Sequence, residues 1–125
     1  MSLPGLDSLI HAPVRLQICA ILAAADEAEF ALVREETGVS ESVLSKQVKL
    51  LADAGYVKVR KASFAEAGFV FDARRLGAAK EHKATISSRQ RTWLALTKAG
   101  RAAFAAHMQA LTRLAETAAN GIAAE

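Results

Sequence analysis

At 125 residues the chain is long enough for one domain with a proper core, and its 52% apolar and 23% charged residues are the balance of an ordinary globular protein. Its single cysteine, Cys19, excludes an intramolecular disulfide and a cysteine-built zinc site, and its apolar surroundings point to a buried structural thiol. The net charge is only +3, but nine basic residues against three acids between Lys58 and Arg91 place +6 in that segment and leave −3 elsewhere. Such an excess suits a polyanionic partner or, equally, a solvated loop kept open by charge. No stretch approaches the ~18 apolar residues that span a membrane. The N-terminus lacks the basic region and long apolar run of a signal peptide. The expectation is a soluble cytoplasmic protein without membrane contact.

Leu9 to Ala25 reads as the first long helix, with Pro13 either in its first turn or at a break after a short N-terminal turn. Val14, Ile18, Ile21 and Leu22 form its apolar stripe. The acidic patch Asp26, Glu27 and Glu29 ends it and opens the next. A second helix is expected near Phe30 to Thr37, with Phe30 and Val33 facing inward and Gly38 closing it. Glu35-Glu36 reads as its solvated end.

Ser40 to Val57 carries the most information. Ser40 can cap a helix through its hydroxyl, and Gly55 can end one in the left-handed conformation. Spaced about 100° apart, Leu44, Val48 and Leu51 fall on one side, with Val43 and Leu50 flanking. Ser42, Ser45, Lys46 and Lys49 fall together on the other. A basic, hydroxyl-bearing helix face is what the DNA major groove needs: hydroxyls for base edges or phosphates, lysines for phosphates or guanine. Two helices joined by a short turn around glycine form a helix-turn-helix.

After Gly55 the pattern alternates. Tyr56 to Arg60 reads as a strand and Thr92 to Leu96 as a second, the two sides of a wing over about 57–96. Between them runs a long loop, 62–88, in which Gly68 to Phe71 could add a strand and Ala73 to Glu81 a helical turn. A loop of this length is usually functional or disordered. Thr97 can cap a last helix from about Lys98 to Ala119. Phe104, His107, Leu111, Leu114 and Ala118 recur at steps of 3, 4, 3 and 4, a heptad-like seam with Met108 and Ala115 alongside. The helix outruns what a small winged domain covers, so its seam is expected to meet a second copy of the chain. His107 is expected in packing or in that interface. His11, His82 and His107 are too scattered for a metal-ligand set.

Three stretches together resemble the winged helix-turn-helix transcriptional regulators of the broad MarR-like and ArsR-like kind: Arg15 to Ile18, Leu44 to Val57, and Thr92 to Arg101. The resemblance implies a mainly α fold with a small β-wing and a long C-terminal dimerisation helix. Residues 1–97 would form the DNA-binding domain and 98–125 the dimerisation helix. It also implies a homodimer on a palindromic operator, usually a repressor. The family's recognition-helix contacts map onto Ser42, Ser45 and Lys46, and Gln47 stands where ArsR-like members often have histidine. With the flanking groups, the candidate DNA-binding set is Ser40, Ser42, Ser45, Lys46, Gln47, Lys49, Arg60, Lys61, Arg74, Arg75, Arg89 and Arg91. The candidate dimer set is Phe104, His107, Leu111, Leu114 and Ala118. Family members use a small-molecule pocket between the dimer helices and the DNA-binding domain, so an effector is left open with no residues assigned. The wing is about twenty residues longer than the family implies, and no cysteine pair supports metal sensing.

A winged domain can also serve as a protein-interaction module without touching DNA, its basic wing meeting an acidic protein surface. An enzyme is not expected. There is no glycine-rich phosphate loop, no zinc motif and no nucleophile or paired-carboxylate constellation, and no cofactor is implied.

Overall fold

The computed structural model describes residues 4–62 and 91–121. Its elements are α1 (Ser8–His11), α2 (Pro13–Ala23), β1 (Ala28–Glu29), α3 (Phe30–Thr37), α4 (Glu41–Asp53), β2 (Val57–Ala62), β3 (Arg91–Leu96) and α5 (Lys98–Ala119). The sheet is antiparallel throughout, in the order β1-β3-β2. This is a winged-helix fold, mainly helical with a small sheet and a long C-terminal helix.

Of the two readings of Leu9 to Ala25, the break at Pro13 after a short N-terminal turn is the one the structure shows. Asp7 caps α1 early, its Oδ1 accepting from the Leu9 and Ile10 amides at 2.9 and 3.3 Å. Ala12, the residue before Pro13, is then extended (φ −60°, ψ 136°), because the proline ring disfavours helical backbone there. Pro13 opens α2 at its first position, where its missing N–H costs nothing. Arg101 of α5 receives the end of α2, donating to the Ala23 and Ala25 carbonyls at 3.5 and 2.9 Å.

The acidic stretch after α2 is not simply a linker. Ala28 pairs with Leu94 and Glu29 with Trp93, forming the short strand β1. Two residues carry no alternation to read, so only pairing with β3 reveals this strand. From there α3 runs to Thr37, and Gly38 ends it in the left-handed region at φ 74°. The serine and glycine signals around α4 hold. Ser40 Oγ accepts from the Val43 amide at 3.2 Å, and Gly55 adopts φ 83°. Leu44, Val48 and Leu51 are buried, whereas the flanking Val43 and Leu50 are exposed.

In the wing, Val57 pairs with Leu96, Arg60 with Trp93 and Ala62 with Arg91. The strands run slightly longer than their alternation indicates. The loop between them, where a strand at Gly68 to Phe71 and a helical turn at Ala73 to Glu81 are expected, lies outside the described residues. The last helix begins and ends where expected. Thr97 Oγ1 accepts from the Gly100 amide at 2.9 Å and donates to the Gly55 carbonyl at 2.6 Å. At Gly100 any Cβ would collide with the Tyr56 carbonyl oxygen, so only glycine lets α5 pass this close to the turn after α4.

The core joins every helix to the sheet. Ile10, Ile18, Leu22, Val33, Leu44, Leu51 and Leu94 are fully buried around Cys19. Burial pushes the Cys19 thiol up to about 11, with help from the charge of Asp7, so it stays protonated and inert. Ala103 and Phe104 of α5 pack on the same core. The boundary expected at 97/98 is therefore not a gap in the packing.

Candidate nucleic-acid interface

The helix-turn-helix presents α4 with one side sunk in the core and the other in solvent. Ser42, Ser45, Lys46 and Lys49 are all exposed. The face is less purely basic than those four residues suggest. Asp53 lies one turn beyond Lys49 and accepts its Nζ at 3.1 Å, with both side chains largely exposed. Such an i,i+4 pair contributes only about 0.3–0.5 kcal/mol, so Lys49 is readily released to a phosphate. Ser42 Oγ lies 3.3 Å from Ser40 Oγ, and Ser40 itself is occupied as the helix cap.

Gln47 takes a different place from the other four. It is half-buried, and its Oε1 accepts from Arg15 Nη1 at 2.6 Å. The same guanidinium donates from Nε to the Leu9 carbonyl at 2.6 Å. Gln47 thus anchors the back of α4 to α2 and α1. Arg15, read in the sequence only as part of a family-like stretch, is the residue that holds it. An arginine at that spacing gave no signal, because its partners lie in two other elements.

The wing arginines are answered by acids of their own chain. Arg60 forms a two-pronged pair with Glu27, at 3.0 Å from Nε and 2.6 Å from Nη2. Arg91 Nη1 donates to Glu29 at 2.7 Å. Both carboxylates belong to the acidic stretch that the sequence offers only as the junction between two helices. Lys58 and Lys61 are the exposed cations of β2. Lys61 borders a cleft of about 440 Å³ between α4 and the sheet, lined also by Ser45, Lys49, Phe30, Val48 and Val59. The structure therefore brings Ser45, Lys49 and Lys61 together along one groove. Arg74, Arg75 and Arg89 lie outside the described residues.

The α5 seam divides along its length. Phe104 is half-buried on the core, and His107 is fully buried inside its own chain. Leu111 is half-buried, Leu114 is 42% exposed and Ala118 is exposed, with Met108 40% exposed beside them. The half of the seam left to meet a partner is its C-terminal half. His107 instead faces the N-terminal segment. Its Nδ1 accepts from the Asp7 amide at 2.9 Å, and its Nε2 lies 3.3 Å from Nδ1 of His11. Burial lowers its pKa, and His11 adds to the effect against the opposing pull of the Asp7 carboxylate. Burial alone would raise the Asp7 carboxyl. The Tyr56 hydroxyl, donating at 2.6 Å, and the Ile10 and Leu9 amides outweigh that and hold it below its usual value. The same hydrogen bond raises Tyr56, with burial adding to it.

Among the described residues, no three His, Cys, Asp or Glu side chains converge to hold a metal ion, and no helix is long and apolar enough to cross a membrane.

Comparison with known proteins agrees with this geometry. Residues 14–67, from the start of α2 past the end of β2, match the family described as winged helix DNA-binding domain. No curated protein matches the chain. Among solved structures, a transcriptional regulator homologue from Pyrococcus horikoshii OT3 has the same fold, with a TM-score of 0.65 at 19% identity over 86% of this chain and 85% of that one.

Proposed function

We propose that this winged-helix chain is a sequence-specific transcriptional regulator that binds double-stranded DNA, with α4 in the major groove and the β2–β3 hairpin on the neighbouring backbone. The observation that carries the reading is the division of α4. Its apolar side is locked into the core and its Ser42, Ser45, Lys46 and Lys49 side stands in solvent. Lysines supply phosphate affinity, and the hydroxyls and Lys46 supply base choice. The match of residues 14–67 to a DNA-binding family supports it.

In this reading the protein is a homodimer, joined through the C-terminal half of α5 within 98–125, and each copy reads half of a palindrome. It acts in the cytoplasm as a repressor, as the resemblance to MarR-like and ArsR-like regulators implies. Of the wing cations, Lys58 and Lys61 carry the phosphate contacts of the described part, because Arg60 and Arg91 are engaged with Glu27 and Glu29.

The test is fluorescence anisotropy of duplexes from upstream of the protein's own coding region, titrated at several salt concentrations. Binding should weaken steeply with salt, with a log–log slope of about −0.9 for each phosphate neutralised. Random duplex should compete poorly. Absence of binding to any duplex at low salt would favour the protein-interaction module instead.

A further inference from the structure

The N-terminal residues Pro4 to His11 lie as a strap across α5. Gly5, at φ 87°, passes so close that a Cβ there would stand 2.8 Å from the Ala106 carbonyl oxygen. Arg113 of α5 reaches the Pro4 carbonyl at 3.4 Å. The firmest tie is the Asp7 amide on His107 Nδ1 at 2.9 Å.

That tie fixes the state of the ring. A backbone N–H only donates, so Nδ1 must carry a lone pair, and the single proton of the neutral ring sits on Nε2. Nε2 then donates to His11 Nδ1 at 3.3 Å. A second proton has to go to Nδ1, where it meets the Asp7 N–H head-on. Two donors then face each other in a site closed to water, since His107 is fully buried. The groups around the ring are few. Asp7 and His11 face it from the strap. Tyr56 and Cys19 reach it only through Asp7, to which Tyr56 is hydrogen-bonded and with which Cys19 interacts electrostatically. Only the Asp7 carboxylate favours the cation, and the Tyr56 hydroxyl and two amides already occupy it.

The strap also bears on α4. Leu9, inside the turn that Asp7 caps, gives its carbonyl to Arg15, and Arg15 holds Gln47. We propose that His107 is a proton-operated latch: neutral, it clamps the strap on α5; protonated, it releases the strap and, through Leu9 and Arg15, loosens the hold on Gln47 of α4. The latch stands on its own geometry. Its effect on DNA reading rests on the function proposed above.

The linkage runs in one direction. Burial depresses the His107 pKa in the closed form, so the latch is intact above the ordinary histidine value and weakens as pH falls below it. The experiment follows the ring and the strap in the ¹⁵N-labelled chain between about pH 8 and about pH 5. At the upper end the His107 ring should carry its proton on Nε2 alone. On acidification the Asp7 amide, corrected for intrinsic exchange, should lose protection by about tenfold per pH unit between the ordinary and the depressed values. The Arg15 Nε–H should lose protection over the same range.

His107→Gln supplies a carbonyl for the Asp7 amide and an NH₂ for His11 without a titrating proton. It should keep the strap closed and flatten the pH response. If that variant does not fold, the wild-type exchange profile decides alone. A ring proton on Nδ1 at neutral pH, or Asp7 protection unaltered by acid, overturns the latch. Loss at Asp7 with Arg15 unchanged overturns the relay to α4. All these readouts are on free protein, so their failure is distinct from a failure to bind DNA.

Discussion

Arg15 donates to Gln47 across 2.6 Å, joining α2 to α4, whose outer face stands in solvent. The tie sits at the half-buried edge of α4, while Ser42 and Lys46 stand exposed, so it orients the helix without using either of them. Because Arg15 also holds the Leu9 carbonyl, three elements share one guanidinium. Arginine suits this role, since its planar fork holds donors apart at fixed angles, whereas the three donors of a lysine radiate from one nitrogen.

Replacing Arg15 by Met, which retains the stem but not the donors, should lower stability by about 1.5–3 kcal/mol, the range for hydrogen bonds to charged groups. DNA affinity should fall as well, although Arg15 is not placed on the DNA-facing side. Urea denaturation and anisotropy on the same preparation check both. Full stability in R15M would show that the two bonds contribute nothing.

Lys46→Ala removes an exposed cation from the centre of the α4 face. If Lys46 reads a base, operator affinity should drop by about 1–3 kcal/mol while random duplex is affected less. If it meets only phosphate, every sequence should weaken alike and the salt slope should fall by about 1. Stability should be unchanged in either case. Unaltered operator binding removes Lys46 from the interface.

Leu114 is the most exposed large apolar residue of the α5 seam, at 42%. Leu114→Asp should therefore leave the fold intact, as read by circular dichroism, and convert a homodimer into a monomer. Burying a leucine contributes about 1.5–3 kcal/mol, and a two-fold interface counts each substitution twice. Light scattering on wild type and variant decides. A wild-type monomer at micromolar concentration refutes the dimer outright.

Tyr56→Phe tests the half-buried Asp7 carboxylate. Asp7 titrates below its ordinary value in the folded chain, so it adds stability above that value and loses it as pH falls through the depressed one. Removing the phenol deletes the strongest of the contacts that hold it down. The variant should be less stable than wild type by about 1–3 kcal/mol near neutrality. The two should converge once the pH falls below the depressed Asp7 value, where the carboxyl is protonated in both. A gap that stays constant with pH would place the loss in packing rather than in the charge.

How much of this was written in the sequence differs from element to element. Capping residues and glycines were legible because they act on their own neighbours: Ser40, Gly38, Gly55 and Thr97 set their helix ends as local chemistry requires. The buried side of α4 was legible for the same reason, as periodicity along a single helix. What did not show were ties between distant residues. Glu27 and Glu29 read as the junction between two helices and proved to be partners of Arg60 and Arg91. Gln47 stood among the candidate DNA contacts, and its tie to Arg15 of another helix gave no local signal. His107 fitted the heptad steps, but the seam alone does not tell whether a strap from the same chain or a second helix covers it. The strap does.

The corner between α4 and α5 has a consequence of its own. The Thr97 hydroxyl grips Gly55, the Thr97 amide donates to the Tyr56 carbonyl at 2.9 Å, and Gly100 lets the two backbones touch. The reading helix and the long helix thus meet at a welded elbow with no spare residue to flex. In the proposed dimer that elbow works as a caliper, fixing how far apart the two reading heads stand and at what angle. Operator choice then has two separable parts: the side chains of α4 select the letters, and the elbow selects the number of base pairs between the half-sites. Thr97→Ser, which keeps the cap hydroxyl but loses the methyl at this corner, should alter the preferred spacing, read by anisotropy on duplexes with varied half-site separation, while leaving the half-site sequence unchanged.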